Sequence, residues 1–274
     1  MMGGLLNFHR VLFVYYHVIH GDTIPHQPRW WNGRHDRLKI CCRKTYGFES
    51  RLRHGGKMAA TLKYIQPDAE QFMIHLARVS SNNENNPEYI RLLNKCMRDG
   101  HWSVFEMVDV VMEIYTSRAV SAQILRHRSF HFQEFSQRYA DVSKIELDLP
   151  KMRRKGSSNR QGSVNFEDQE TQFEMDNKAL APILVAIRAY NNLVESGVAL
   201  ESARMVLPLC VGTRLYMKGT VRDWLHYCKV RMDSHTQQEH REVATDCWNV
   251  LTQVLPSTTE AFKKYWMKEE ESTE

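Results

Sequence analysis

Eight consecutive residues narrow what this chain can fold into. From Val108 to Tyr115, the apolar Val108, Val110, Met112 and Ile114 alternate with Asp109, Val111, Glu113 and Tyr115, the two-residue period of a strand with one strongly apolar face. A strand cannot bury such a face alone, so it needs other elements to cover it. The surrounding punctuation supplies helices. Pro67-Asp68 opens a helical pattern to about Val79, and Asn86-Pro87 predicts an N-cap followed by proline at the first helical position, with Gly100 as the left-handed stop after Asp99. Ser117 caps a helix through about His127, and a long helical stretch runs to Ser196 with Pro182 as a kink or boundary. Ala199 to Val206 predicts a short helix and Leu209 to Met217 a strand. Val221 to Val230, capped by Thr220, and Thr236 to Val254 predict two further helices. The chain is mixed α and β, with more helix than strand.

That regularity begins only at Met58. Residues 1–57 hold six of the thirteen histidines, the pairs Trp30-Trp31 and Cys41-Cys42, and ten Lys/Arg against Asp22, Asp36 and Glu49, with no sustained period. Arg10 interrupts their first apolar stretch and no A-x-A follows Ile19, so a signal peptide does not fit. The expectation is an extension without function before a natural start at Met58, followed by a single domain over 58–274. That body carries 27 basic against 29 acidic residues, so bulk charge does not make it a nucleic-acid binder. No run approaches the roughly 20 apolar residues of a membrane span. The six cysteines include no CxxC pair and are too few for a disulfide scaffold in 274 residues. Reduced thiols in a cytoplasmic protein are expected.

The densest polar segment is Arg126-His127-Arg128-Ser129-Phe130-His131-Phe132-Gln133-Glu134-Phe135-Ser136-Gln137-Arg138-Tyr139. Forked guanidinium donors and a hydroxyl can surround a phosphate. Equally, Arg126 and Arg128 could simply satisfy the carboxyl-terminal dipole of the preceding helix. Phe130, Phe132 and Phe135, set among the polar residues, favour a partly buried segment. Residues 150–170, polar and rich in Lys, Arg, Gly, Ser and Asn, predict a mobile loop whose positive charge suits binding.

R-H-R, seven residues, then Ser136 resembles the signature of the flavin-dependent thymidylate synthase family. Four further elements match in order: Gly100-His101-Trp102-Ser103-Val104-Phe105-Glu106, Asn159-Arg160-Gln161-Gly162-Ser163, Ala203-Arg204-Met205-Val206-Leu207-Pro208, and Arg222 with Arg231 and Asp233-Ser234-His235-Thr236-Gln237. The resemblance spans about Met58 to Tyr265, and Met107, His226 and Thr236 depart from the commonest residues. It implies an α+β fold, a single mixed domain with a central antiparallel sheet flanked by helices, assembled as a homotetramer. It also implies reductive methylation of dUMP to dTMP, with 5,10-methylenetetrahydrofolate as carbon donor and NADPH reducing FAD. By motif position, Gln123, Arg126, Glu134, Ser136, Gln137, Arg138, Arg204 and Arg231 would lie around dUMP. Ser103, Glu106, Arg126, His127, Arg128, Arg222, His226 and His235 would hold FAD, and His101 would face flavin and folate. His101, Arg126, Ser136 and Arg231 would form the catalytic set, without a metal.

The residue types suit that chemistry. No GxGxxG offers a helix N-terminus to the phosphates, so arginines must neutralise them. Cationic neighbours such as Arg128 would tune a reduced flavin. No cysteine falls in a matching motif to add to the pyrimidine; Cys96, Cys210 and Cys228 read as buried core, and no G-x-S-x-G surrounds Ser136. Two other readings stand beside this one. His235 and Glu239 at i, i+4, with His240 adjacent, and His127 with His131, could offer metal ligands for a hydrolase. Arg126–Arg128, Arg153–Lys155 and the basic extension could bind nucleic acid.

Overall fold

The computed structural model describes residues 59–142, 149, 151–156 and 162–267. The expectations for residues 1–57, for Cys41 and Cys42, and for Asn159, Arg160 and Gln161 lie outside the described residues. The chain divides into two compact units. One runs to Ser136 and resumes at Gly212; the other takes Gln137–Val211.

The first unit is built on a four-stranded antiparallel sheet. Its strands are β1 (Ala60–Ile65), β2 (Asp109–Ser117), β3 (His131–Glu134) and β6 (Gly212–Thr220), in the order β1-β2-β6-β3. The long ladder joins β2 to β6 from Asp109 opposite Thr220 to Ser117 opposite Gly212. In that register Met112 faces Met217 and Ile114 faces Leu215, so both strands turn buried apolar side chains to one face. Helices α1 (Ala69–Ala77), α2 (Ile90–Asp99), α6 (Val221–Arg231), α7 (Gln238–Val254) and α8 (Pro256–Trp266) supply the rest of this core. Trp224 of α6 is fully buried and donates its indole N–H to the Val110 carbonyl at 3.1 Å, so the largest core side chain carries no orphan donor.

Both central strands pass directly into helices. Ser117 ends β2 and caps α3 (Arg118–Ile124) by accepting from the Val120 N–H. Thr220 ends β6 and forms a capping box with Asp223 on α6. On the opposite sheet face the buried Glu113 is paired with Lys63 at 2.6 Å, which holds its carboxyl below the usual range.

The second unit contains α4 (Gln169–Glu195), α5 (Leu200–Ala203), a 3-10 turn at Arg204–Val206, and the two-residue strands β4 (Arg154–Lys155) and β5 (Ser163–Val164). Its small core gathers Val142, Tyr190, Ala203 and Val211. Asp168 caps α4 through the Thr171 N–H at 2.6 Å. No helix among the described residues is long and apolar enough to cross a membrane.

Several boundaries differ from those the sequence predicts. The helix expected from Asn86 starts at Ile90, because the Asn86 side chain accepts from the Glu88 N–H at 2.9 Å and closes a turn. Arg78 holds that turn through the Asn86 and Glu88 carbonyls. The strand expected at Leu209 begins at Gly212, since Val211 still donates to the Pro208 carbonyl at 3.1 Å. Pro182 lies inside a continuous α4 and marks no boundary. The segment read as a loop carries the β4–β5 pair, closed by Gly156 donating to the Gly162 carbonyl at 2.8 Å.

Gly219 of β6 lies under the ring of Phe130, and a Cβ there would stand 2.6 Å from two ring carbons. Gly219→Ala is therefore expected to displace the buried Phe130 and destabilise the protein by about 1–3 kcal/mol, read as a lower denaturant midpoint.

Candidate active site

Helix α3 ends at Ile124, so Arg126-His127-Arg128 falls in the turn beyond its cap rather than on the helix. His127 and Phe130 close that turn by donating to the Ile124 and His127 carbonyls at 3.0 and 3.3 Å. The effect is to alternate directions: Arg126 and Arg128 are exposed, while His127 is half-buried. The imidazole meets Tyr227 edge to face with centroids 5.0 Å apart. Its Nε2 accepts from the Nε–H of Arg231, the last residue of α6, at 2.9 Å. A guanidinium only donates, so His127 is neutral with its proton on Nδ1. Burial first, then Arg231, His226 and Arg126, push its pKa down to about 4.

A second group forms where α6 faces the 3-10 helix Trp102–Glu106. Glu106 pairs with Arg222, whose guanidinium also lies 5.9 Å above the Trp102 ring. His226 follows Arg222 by one helical turn and is exposed. His101 stands at the N-cap position of the 3-10 helix and, with Ser103, lines an open cleft of about 470 Å³ walled by Leu76, Leu92, Lys95 and Cys96. The cleft joins apolar walls to a cation and an imidazole, which suits an aromatic ligand carrying negative charge.

Glu134 lies at the end of β3, and one of its oxygens accepts from Ser121 Oγ at 2.6 Å, Thr213 Oγ1 at 3.0 Å and Arg118 Nη1 at 2.6 Å. These three partners were missed from sequence. A signal existed: Arg118 is a cation in the first turn of α3, where the helix dipole disfavours it unless a carboxylate stands near. Ser136 follows two residues after β3 and is half-buried. Gln123 donates to Gln237 Oε1 at 2.7 Å, and the His235 ring bonds Asp233 at 2.8 Å.

In the second unit Gln137 is buried, while Arg138 pairs with Glu201 at 3.7 Å. Arg204 donates to the Glu201 carbonyl at 3.3 Å, so these two arginines share one residue. The structure thus brings together Gln123, Arg126, His127 and Arg231 with His226 nearby, then Glu106 with Arg222, and separately Arg138 with Arg204.

The geometry does not favour the metal reading. His235 precedes α7, which starts at Gln238, so His235 and Glu239 do not share a helix face. His127 sits in a turn and His131 in β3. Among the described residues Cys96, Cys210, Cys228 and Cys247 are all buried, as the sequence predicts for the first three. Burial pushes the Cys228 and Cys247 thiols well up, away from thiolate chemistry.

Residues 60–257 match a family model described as Thymidylate synthase complementing protein. A flavin-dependent thymidylate synthase from Synechocystis sp. is 44% identical over 194 residues, which cover 71% of this chain and 89% of that protein. A probable flavin-dependent thymidylate synthase of Paramecium bursaria Chlorella virus 1 is 42% identical over 198 residues, 70% of this chain and 90% of that one. A UMP/dUMP methylase from Streptomyces cacaoi, solved with 5-Br dUMP bound, is similar with a TM-score of 0.65 at 24% identity. It covers 75% of this chain and 94% of its own, and the likeness is one of fold.

His240 is a second buried imidazole, pushed down to about 3 by burial, then Arg231, His127 and Arg126. Both folded values lie below the ordinary 6.5, so the unfolded chain takes up these protons first as pH falls. The stability they contribute is fully present above about pH 6.5 and declines as the pH drops towards 4. Urea midpoints should fall between about pH 7 and pH 4.5, and His127→Phe should flatten that slope by about one proton.

Proposed function

The chain belongs to the flavin-dependent thymidylate synthase family, and from that premise we propose how its own residues serve the methylation of dUMP to dTMP. The observation that carries this reading is the cation group around His127. Among the described residues no carboxylate pairs with Arg126, Arg128 or Arg231, whereas Arg118, Arg138 and Arg222 each have one. Arg126 and Arg231, gathered near the His127 and His240 rings with no described carboxylate beside them, suit an anion such as a nucleotide phosphate.

We assign Gln123, Arg126, Glu134, Ser136, Gln137, Arg138, Arg204 and Arg231 to dUMP by their places in the family motifs. FAD is the cofactor, and the donor set fits it: Arg128 and Arg222 offer forked donors to a pyrophosphate, with Ser103, Glu106, His127, His226 and His235 around them. Bound FAD would supply hydride chemistry, with NADPH as the reductant and 5,10-methylenetetrahydrofolate as the carbon donor. His101, which lines the cleft, would hold or move a proton at its ring nitrogens beside flavin and folate. Burial and the Arg231 hydrogen bond keep His127 neutral, and the remaining N–H groups of Arg231 would serve the nucleotide. The active form in this reading is a cytoplasmic homotetramer whose sites draw on several subunits, and residues 1–57 take no part in it.

FAD-loaded protein given NADPH, methylenetetrahydrofolate and 5-tritiated dUMP under anaerobic conditions is expected to release tritium and form dTMP. Absence of both overturns the reading. Arg126→Ala should weaken dUMP affinity by about ten- to a hundredfold, the loss of one charge-assisted hydrogen bond. His101→Ala should leave that affinity in place and slow single-turnover flavin oxidation. A chain beginning at Met58 should match the full chain in dTMP formation.

A further inference from the structure

His240 takes no part in the reaction as described, yet it is fully buried and both its ring nitrogens are engaged. Its Nε2 lies 3.2 Å from the Tyr227 hydroxyl and its Nδ1 3.2 Å from Gln123 Oε1. Gln123 Nε2 donates to Gln237 Oε1 at 2.7 Å, and Gln237 Nε2 donates to Glu239 Oε2 at 2.9 Å. The polarity of this chain is set at its outer end. An ionised carboxylate only accepts, so Gln237 must donate to Glu239 and accept from Gln123. Gln123 must then use its carbonyl towards His240, which donates from Nδ1 and accepts at Nε2 from the Tyr227 hydroxyl. Tyr227 of α6 and the nearby Arg231, His127 and Arg126 surround the ring, and burial with these charges keeps it neutral.

We propose that His240 is a positioning residue for the nucleotide site: with Gln237 it holds the Gln123 amide in the orientation that the Glu239 end of the chain dictates. The inference rests on the reading that Gln123 touches dUMP. The chain uses one N–H and one lone pair of that amide, and leaves one of each, in a set arrangement, for the ligand. An unheld amide can turn over and offer a donor where dUMP needs an acceptor.

The test is dUMP binding to the FAD-loaded protein by calorimetry, beside flavin content and melting temperature. His240→Leu is expected to weaken dUMP binding about tenfold, with KM for dUMP moving more than kcat. His240→Asn keeps a donor at the Nδ1 position and should stay within about threefold of the parent. Glu239→Lys puts a donor-only group at the outer end, reverses the chain and is expected to weaken dUMP about tenfold, although added positive charge alone would favour an anion. Parent-like affinity in His240→Leu or Glu239→Lys, or Asn no better than Leu, overturns the proposal; should the Leu variant fail to fold, Glu239→Lys decides. Parent protein that binds no dUMP sinks the functional reading, and this inference with it.

Discussion

The β2–β6 ladder is the constraint from which the site follows. Nine residue pairs hold the two strands in one register, and each strand ends on the residue that caps the next helix. With no linker at either junction, the starts of α3 and α6 are tied to opposite ends of the same ladder. Helix α6 then returns over the sheet, so its last residue meets the turn that follows α3, where Arg231 donates to His127. Register, capping and active-site geometry are in this sense a single arrangement. The aromatic cluster of Phe130, Trp224 and Tyr227 fills the space under it.

Much of this was legible in the sequence because local chemistry carried it. The alternation from Val108, the Ser117 and Thr220 caps and the Gly100 stop all act within a few residues, and each is present. The polar motifs were legible as groups of residue types, and the family resemblance supplied their order. What stayed hidden depends on distant partners. Strand β3 is four residues of mixed polarity that become a strand only because β6 offers them an edge. Strand β1 owes its place to β2, with an irregular register between Leu62 and Tyr64. Helix α8 was missed although Pro256 at its start was a usable signal.

The same division holds within the site. Glu134 stood out as a polar residue in a motif, but Thr213, one of its three donors, lies 79 residues away and no periodicity links them. By motif position His127 was one of several residues that would hold FAD. Its ring instead turns inward to lie edge to face against Tyr227, and burial, with the Arg231 hydrogen bond, accounts for its neutrality.

The absence of slack at the β6–α6 junction also has an evolutionary consequence. One residue added within α6 would rotate everything beyond it by about 100°. Arg231 would then swing away from His127 while the sheet itself remained sound, giving a folded protein with a dismantled site. Relatives can therefore lengthen the Arg78–Tyr89 connection, which lies outside the ladder, far more freely than the eleven residues of α6. Gaps in alignments of such chains should crowd into the former and spare the latter.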